Sequence, residues 1–501
     1  MKPFPELQLN LPKRLPLRHL MPFLGVVLVL QLLEGTKAAT SLEFCAFILL
    51  MTDAFNAVGG MVYPSGAYIF FLGMLSVILG GLAKTALGES LDAQVMHAQR
   101  SMLVYLVGAV SVWCAARISA RVRVKRPWLE SLNISTQQMR EAALGSALVG
   151  QFGWMLVPLS VVSTFNQLNQ FLPIAILFAV YTKARATHGR RTFSVLAFVV
   201  WLWGTVNWGI FLFSKAGMFT PAVMWALAAL AAGYRSTWKK LLTIGAVVLV
   251  CSSFMTAISQ VGRVYRDSPD AMAKAIDLTL HPVRTREIYL AQSRAVLRNP
   301  TNYHWFSDSQ GLLDRLTVFP IDDALISISD EGHTRGILPI ETYVVNMIPR
   351  YLVKQKLTYH WGNQYAHEIG MLGNNDDTTG VSFSPFADGY HTMLWWGMTA
   401  VMFPVLLAMF SFCDSLTGST EQTIWACLYL LYFAHGSAEG MLGSPFSAIS
   451  VNAVMIVAAA IVTRYGTATV GHLLSSRRLF GVVPLDPSVR PVARRTIVQE
   501  L

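Results

Sequence analysis

The chain has 501 residues, of which 53% are hydrophobic and 13% are charged, and its formal net charge is +11. Soluble domains carry about 25% charged residues, so the composition excludes a soluble globular protein and indicates a polytopic membrane protein. The charge distribution also argues against a nucleic-acid partner. Residues 263–385 carry a net charge of −2, and the remaining +13 is divided among short segments between apolar runs, as the positive-inside rule expects of cytoplasmic loops.

Twelve apolar segments are predicted to cross a membrane, because each offers about 20 mostly apolar residues. They lie near residues 17–35, 38–62, 66–87, 101–119, 142–163, 167–184, 192–214, 217–234, 238–261, 386–413, 421–437 and 445–464. Basic clusters occur at the N-terminus, at 117–126, 183–191 and 235–240, and in the C-terminal tail. With twelve spans all of these clusters fall on one side, which predicts that both termini are cytoplasmic.

The predicted fold is therefore an all-α polytopic membrane protein whose chain divides into four parts. These are a membrane domain of about nine spans at 1–262, a large and mostly helical extracytoplasmic loop at 263–385, the last three spans at 386–464, and a cytoplasmic tail at 465–501.

The long loop is expected to carry the chemistry, because it is a polar stretch held between two groups of apolar segments. Apolar residues at helical spacing predict helices within it. The predicted helical stretches are 268–300, with a break at His281 and Pro282, then 307–329, and 340–352, which Pro349 interrupts.

Neither a metal nor another cofactor is expected. The five cysteines are scattered through apolar runs at positions 45, 114, 251, 413 and 427, a pattern typical of small buried side chains rather than of a zinc site or a disulfide framework. No phosphate-binding GxxxxGK[ST] motif and no nucleophilic GxSxG motif occurs. Asp376 and Asp377 follow two asparagines, which favours a solvated turn over a divalent-metal site.

Basic residues of the loop are candidates for binding a pyrophosphate, because arginine offers a rigid fork of donors to phosphate oxygens. The candidates are Arg315, Arg335, Arg350 and Lys356. The alternative is that these arginines pair with carboxylates of the loop, namely Asp314, Asp322, Asp323, Glu331 or Glu341.

Carboxylates and histidines near the predicted outer membrane boundary form a second group of candidates. One of them could act as the base that takes a proton from a substrate hydroxyl, such as that of a sugar. The leading candidates are Asp388 and His367, and Glu439 with His435 four residues before it is a reserve pair on one helix face. Asp388 has a structural alternative as the N-cap of the span that begins there.

The run NMIPRYLVKQKLTYHWGNQYAHEIGML at 346–372, followed by TTGVSFSPFADGYHTMLWWGMTAV at 378–401, resembles bacterial O-antigen and exopolysaccharide polymerases of the Wzy type. The matching positions are Pro349, Arg350, Lys356, Gly362, Ser382, Ala387, Asp388, Tyr390, Trp396 and Gly397. Upstream, Arg315 in DRLTVF matches the arginine-bearing helix of that family. The chain departs from the pattern where Asp388 replaces the more usual Glu and His391 stands in place of Asn.

The resemblance covers roughly residues 310–400 and the plan of spans. It implies polymerisation of undecaprenyl-pyrophosphate-linked repeat units at the periplasmic face of the bacterial inner membrane, with no nucleotide-sugar donor. The implied partners are the lipid-linked glycan, membrane lipid, a flippase and a chain-length regulator. The resemblance also implies that Tyr390, like the basic residues of the loop named above, binds the substrate.

Three alternatives remain at this point. An O-antigen ligase shares the spans and the large loop, although its usual Arg-His pairing is not found here. A polyprenyl-phosphate sugar transferase usually carries an acidic pair in its first outer loop, which the linker at 34–37 lacks. A transporter or flippase fits twelve spans, but its ionisable residues should lie in mid-span and it rarely needs so long a loop.

Overall fold

The computed structural model describes residues 6–152, 171–266, 268–297, 303–308, 310, 313–348, 359–377 and 379–476. Its longer helices, numbered here in chain order, are α1 Leu17–Leu33, α2 Ala38–Ala57, α3 Pro64–Leu87, α4 Ala98–Val122, α5 Thr136–Phe152, α6 Phe171–Ala186, α7 Val195–Ile210, α8 Lys215–Ala231, α9 Trp238–Gly262, α10 Ala271–Leu280, α11 Pro282–Leu297, α12 Phe319–Asp330, α13 Leu338–Met347, α14 Trp361–Glu368, α15 Pro385–Thr417, α16 Ala426–Glu439 and α17 Gly443–Leu473. Two short strands, β1 Leu7–Leu9 and β2 Tyr234–Ser236, pair in antiparallel fashion.

Within this part of the chain, six helices are long and apolar enough to cross a membrane, namely α2, α3, α4, α9, α15 and α17, and α1, α7 and α8 are shorter apolar helices. Helix is the expected form for such segments, because a lone helix satisfies its own backbone polar groups in lipid. The protein is therefore an all-α membrane protein. Helix occupies at least part of each of the twelve predicted segments, and six of those helices meet the length and hydropathy expected of a span.

One end of the helix bundle is formed by segments that come from distant parts of the chain. Lys13 lies 2.7 Å from Glu421, and Arg123, just after α4, lies 2.6 Å from Asp414 near the end of α15. The β1–β2 ribbon joins the N-terminus to the segment after α8. These contacts gather the segments that the positive-inside rule predicts on the cytoplasmic side.

The opposite end is formed by the long loop and by the connection between α3 and α4. Lys84 Nζ donates to the backbone carbonyl of Trp305 at 2.5 Å. Asp323 of α12 accepts from the backbone N–H of Met96 at 2.6 Å and from Ser101 Oγ at 2.5 Å. Because α4 begins beside Asp323 and ends beside Arg123, it extends from one end of the bundle to the other.

The long loop folds back on the helix bundle. Helices α10 and α11 pack on the C-terminal half of α9, where Ile258, Leu278 and Tyr289 are buried in one apolar cluster. The break between α10 and α11 falls at His281, as expected from Pro282. The predicted helical stretch 307–329 is confirmed only from Phe319, where α12 begins; residues 307 and 308 are not helical, and 313–315 form a short 3-10 turn. Pro320 lies in its first turn, where proline starts a helix well.

Helix α15 is broken in its third turn. Met393 has φ −148° and ψ 33°, and Leu394 has φ 51° and ψ −132°. The break lets Gly397 approach Gly389 so closely that a Cβ on Gly397 would lie 1.8 Å from the Gly389 carbonyl oxygen. Residues 385–392 are all buried, and they form a short helix distinct from the apolar remainder of α15.

Candidate functional site

Asp388 lies in the first turn of α15, and it is not the N-cap. Ser384 is the cap, and its side chain accepts from the backbone N–H groups of Phe386 and Ala387, both at 3.2 Å. The interpretation of Asp388 as a capping residue is therefore wrong. Asp388 lies four residues after this cap, and its carboxylate contacts other partners.

The Asp388 carboxylate is fully buried and accepts three hydrogen bonds. Tyr365 donates to Oδ1 at 2.8 Å, and Tyr343 and the backbone N–H of Leu442 donate to Oδ2 at 3.1 Å and 2.8 Å. Burial and the nearby Asp388 charge raise the pKa of both tyrosine hydroxyls, so both stay protonated donors at neutral pH. Three such donors suit an ionised carboxylate.

The three donors come from different elements. Tyr343 belongs to α13, Tyr365 to α14, and Leu442 to the short connection between α16 and α17. Met441 has φ 51°, a conformation that is uncommon for a residue with a side chain, and it precedes the amide that reaches Asp388. Strained backbone of this kind concentrates at functional sites.

A second buried carboxylate, Asp322 of α12, lies on the other side of the Ser384 cap. It accepts from the Tyr105 hydroxyl of α4 and from the backbone N–H of Ser384 at 3.0 Å. Burial raises the pKa of Asp322 to about 7, against the opposing effect of the hydrogen bonds from Ser384 and Tyr105. The arginine pairing that the sequence left open for Asp322 is not observed among the described residues.

Arg335, a predicted substrate-binding residue, is paired with a carboxylate. Its Nε donates to Glu368 Oε1 at 2.8 Å. His391 lies with Nε2 3.0 Å from the other Glu368 oxygen and with Nδ1 2.8 Å from Ser329 Oγ. Burial pushes the pKa of Glu368 upward, but His391 and Arg335 outweigh it and hold that pKa below its usual range. Glu368 thus replaces the carboxylates that the sequence suggested as partners.

Tyr390 takes part in a third group of contacts. Its hydroxyl donates to Asp330 Oδ1 at 2.6 Å, and Arg100 binds the same carboxylate through Nε at 2.8 Å and Nη2 at 2.7 Å. The Arg100 guanidinium also lies 4.8 Å from the ring centre of Trp395. Sequence reasoning did not single out Arg100, although an arginine in the first turn of an apolar helix is a recognisable signal.

The remaining predicted residues lie around this cluster or outside the described residues. His367 Nε2 lies 3.0 Å from the carbonyl of Asp376, whose carboxylate accepts from the backbone N–H of Thr379 at 2.9 Å in a turn. Glu439 lies 3.8 Å from Lys215, and His435 is exposed on the same helix. Arg350, Lys356 and the side chain of Arg315 lie outside the described residues. No group of three or more potential metal ligands is found among the residues described.

Two cavities open near these carboxylates. A groove of about 320 Å³ lies between α13, α16 and the start of α17, and its lining includes Tyr343, Asn346, Tyr432, Ser444, Phe446 and Ser447. A second cavity of about 390 Å³ lies at the start of α4, where Lys37, His97 and Arg100 contribute to the lining. Of these two cavities, the groove shares a residue, Tyr343, with the Asp388 cluster, which consists of Asp388, Tyr343, Tyr365 and Leu442.

No family model, curated protein or solved structure matches this chain.

Proposed function

We propose that the protein is a glycosyltransferase that polymerises undecaprenyl-pyrophosphate-linked oligosaccharide repeat units into O-antigen or exopolysaccharide. The observation that carries the proposal is the Asp388 cluster. A buried carboxylate bound by two tyrosines lies where helices of the long loop meet the ends of the apolar helices, beside a groove. This is the chemistry needed to take a proton from a sugar hydroxyl near the surface of a membrane.

The proposed topology has twelve spans, both termini in the cytoplasm and the long loop in the periplasm of the bacterial inner membrane. The contacts at the two ends of the bundle support it, because segments predicted on the same side lie together. The basic clusters give the direction. In this arrangement the Asp388 cluster faces the periplasm, where a lipid-linked glycan is available after a flippase has moved it.

In the proposed reaction, a hydroxyl oxygen of one lipid-linked repeat unit attacks the anomeric carbon of the reducing-end sugar on the growing chain. The bond between that carbon and the phosphate oxygen breaks, and undecaprenyl pyrophosphate leaves with the electron pair. Asp388 takes the hydroxyl proton, and arginines stabilise the leaving pyrophosphate. Arg350 suits this role because its segment joins α13 and α14, the two helices whose tyrosines bind Asp388.

The proposal is tested by the glycans that accumulate in cells lacking the protein. A missing polymerase leaves single repeat units on undecaprenyl pyrophosphate, accessible in spheroplasts to an enzyme that cannot enter the cell. A missing ligase instead leaves long polymer on the lipid, and a missing flippase leaves single repeat units that become accessible only after lysis. Either of the last two patterns would overturn the assignment, and the wild-type gene should restore polymer.

A further inference from the structure

We infer that Tyr343 is the residue that contacts the acceptor hydroxyl and relays its proton to Asp388, and that the groove beside Tyr343 holds the acceptor glycan. The inference rests on the proposed function, and it assigns the acceptor site of that reaction.

Asp388 is unable to reach a substrate directly in the described structure. Its exposed fraction is 0%, and its carboxylate oxygens are occupied by Tyr365, Tyr343 and the Leu442 amide. A general base must lie within about 2.6–3.2 Å of the proton donor or act through one bridging water, and a tyrosine hydroxyl, which both donates and accepts, can bridge in the same way. A side chain that touches both Asp388 and the groove is therefore required.

Tyr343 meets this requirement and Tyr365 does not. Both hydroxyls donate to Asp388, but Tyr343 lines the groove and is 9% exposed, whereas Tyr365 is 0% exposed. The ring of Tyr365 is packed between Phe383 and His391, at centroid distances of 5.6 Å and 4.7 Å. Among the described residues that line the groove, Tyr343 is the one whose side chain donates a hydrogen bond to Asp388.

The lining of the groove suits a sugar better than a phosphate. Its described side chains are uncharged, and they include the hydroxyls of Tyr432, Ser444, Ser447 and Ser450. The Tyr343 and Phe446 rings, both part of the lining, have centroids 5.9 Å apart and planes inclined by 30°, which adds aromatic surface to the groove. Hydroxyl groups that can both donate and accept, combined with an aromatic face, match the alternating polar and apolar surfaces of a sugar ring.

The relay keeps every proton and electron pair accounted for. The acceptor hydroxyl passes its proton to Tyr343 Oη as Tyr343 passes its own proton to Asp388 Oδ2. The freed oxygen forms the new glycosidic bond, and undecaprenyl pyrophosphate leaves with the electrons of the broken bond. Asp388 afterwards returns its proton through Tyr343 to water. Tyr343 never holds a negative charge, in keeping with the raised pKa that burial gives its hydroxyl.

The test compares Tyr343→Phe with Tyr365→Phe in cells that lack the native protein. Each variant removes one hydroxyl donor from Asp388 and keeps the ring, but only Tyr343→Phe removes the relay. The rate of repeat-unit addition should fall by about 10²–10⁴-fold in Tyr343→Phe, the usual contribution of a general base, and by only about tenfold in Tyr365→Phe, which loses one hydrogen bond to a carboxylate and no relay. Equal losses in the two variants, or wild-type activity in Tyr343→Phe, would overturn the inference.

A second pair tests the groove without touching Asp388. Ser447→Trp should fill the groove and cause single repeat units to accumulate, whereas Val454→Trp changes an exposed position on α17, 67% exposed, and should leave polymer length unchanged. Normal polymer from Ser447→Trp at wild-type abundance would contradict the inference. If cells lacking the protein fail to accumulate single repeat units, both the proposed function and the inferred acceptor site are overturned. If those cells do accumulate single repeat units but Tyr343→Phe and Ser447→Trp both make normal polymer, only the assignment of the acceptor site is overturned.

Discussion

The backbone N–H of Ser384 donates a 3.0 Å hydrogen bond to the carboxylate of Asp322. This contact joins α12, a helix of the long loop, to the residue that caps α15. Because Asp322 is fully buried, its charge is costly, and burial raises its pKa to about 7. The contact between the long loop and the helix bundle therefore contains a carboxyl group, that of Asp322, whose pKa lies near neutral pH.

Stability should depend on the charge of Asp322. An aspartate has a pKa of about 3.9 in an unfolded chain, so between that value and about 7 the folded state binds more protons and stability falls as pH rises. Asp322→Asn removes this dependence and can still bond Ser384 and Tyr105. We expect its unfolding temperature in detergent to exceed that of the wild type at about pH 8 and to approach it at about pH 5.

The exposed Asp377 provides the matched control, because Asp377→Asn makes the same charge change on the surface. Its pH profile should follow that of the wild type. Parallel profiles for Asp322→Asn and the wild type would contradict the raised pKa of Asp322.

Asp388→Asn should abolish polymer while the protein remains folded. An asparagine oxygen can accept from Tyr343 and the Leu442 amide, and its NH₂ can donate to Tyr365, but it takes up no proton. The loss of a general base predicts about a 10²–10⁴-fold lower rate of addition, measured as the ratio of polymer to single repeat units. Ser384→Ala is the control: it should cost about 0.5–2 kcal/mol of stability as a lost cap and keep the activity of each folded molecule. Normal polymer from Asp388→Asn would shift the search for the base to His367 and Glu439.

Arg350→Lys should lose most activity, because a point charge does not reproduce the bidentate contacts of a guanidinium with a pyrophosphate. Arg284→Lys serves as the control, since Arg284 is an exposed residue of α11 in the same loop. Polymer length and protein abundance are measured in both. Full-length polymer from Arg350→Lys and Arg350→Ala would remove Arg350 from the site.

Gly397→Ala should prevent the break in α15 from forming. The added Cβ would lie 1.8 Å from the backbone oxygen of Gly389, and a backbone atom has little freedom to move. Overpacking typically costs about 1–3 kcal/mol and sometimes more, so we expect little monodisperse protein after detergent extraction. Gly245→Ala in α9 is the control, because nothing lies within 4 Å of its added Cβ. Similar yields from the two variants would contradict the close approach.

The proposed topology predicts which cysteine labels from outside. In a variant whose native cysteines are replaced by alanine, a cysteine at Glu331, exposed at the end of α12, should react with a membrane-impermeant maleimide once the outer membrane is opened. A cysteine at Lys125, exposed after α4, should react only after the inner membrane is permeabilised. Labelling of both in the same compartment would contradict the topology.

Hydropathy located the helical segments well, because a lone apolar helix satisfies its own backbone. It did not locate the break at Met393 and Leu394, because no proline marks it and the close approach of Gly389 and Gly397 that accompanies it is a contact across the break. The cap at Ser384 could have been identified, because a serine followed by proline is a typical helix start.

The site was harder to predict than the helices. Asp388 was expected from the sequence, but its partners Tyr343 and Tyr365 come from two other helices, and nothing in the local sequence marks either tyrosine. Arg335 was expected to bind substrate on its charge alone, and its partner Glu368 is 33 residues away. Pairings of this kind depend on how the loop folds, which residue type and spacing do not specify.

The β1–β2 ribbon imposes an order on biosynthesis. The ribosome makes β1 before helices α1 to α8, and its partner strand, Tyr234–Ser236, follows α8. At about 5–20 residues per second, β1 waits unpaired for roughly 10–50 s while the intervening helices enter the bilayer. The ribbon can therefore close only once 236 of the 501 residues have been made, and β1 stays without its partner strand while α1 to α8 enter the bilayer.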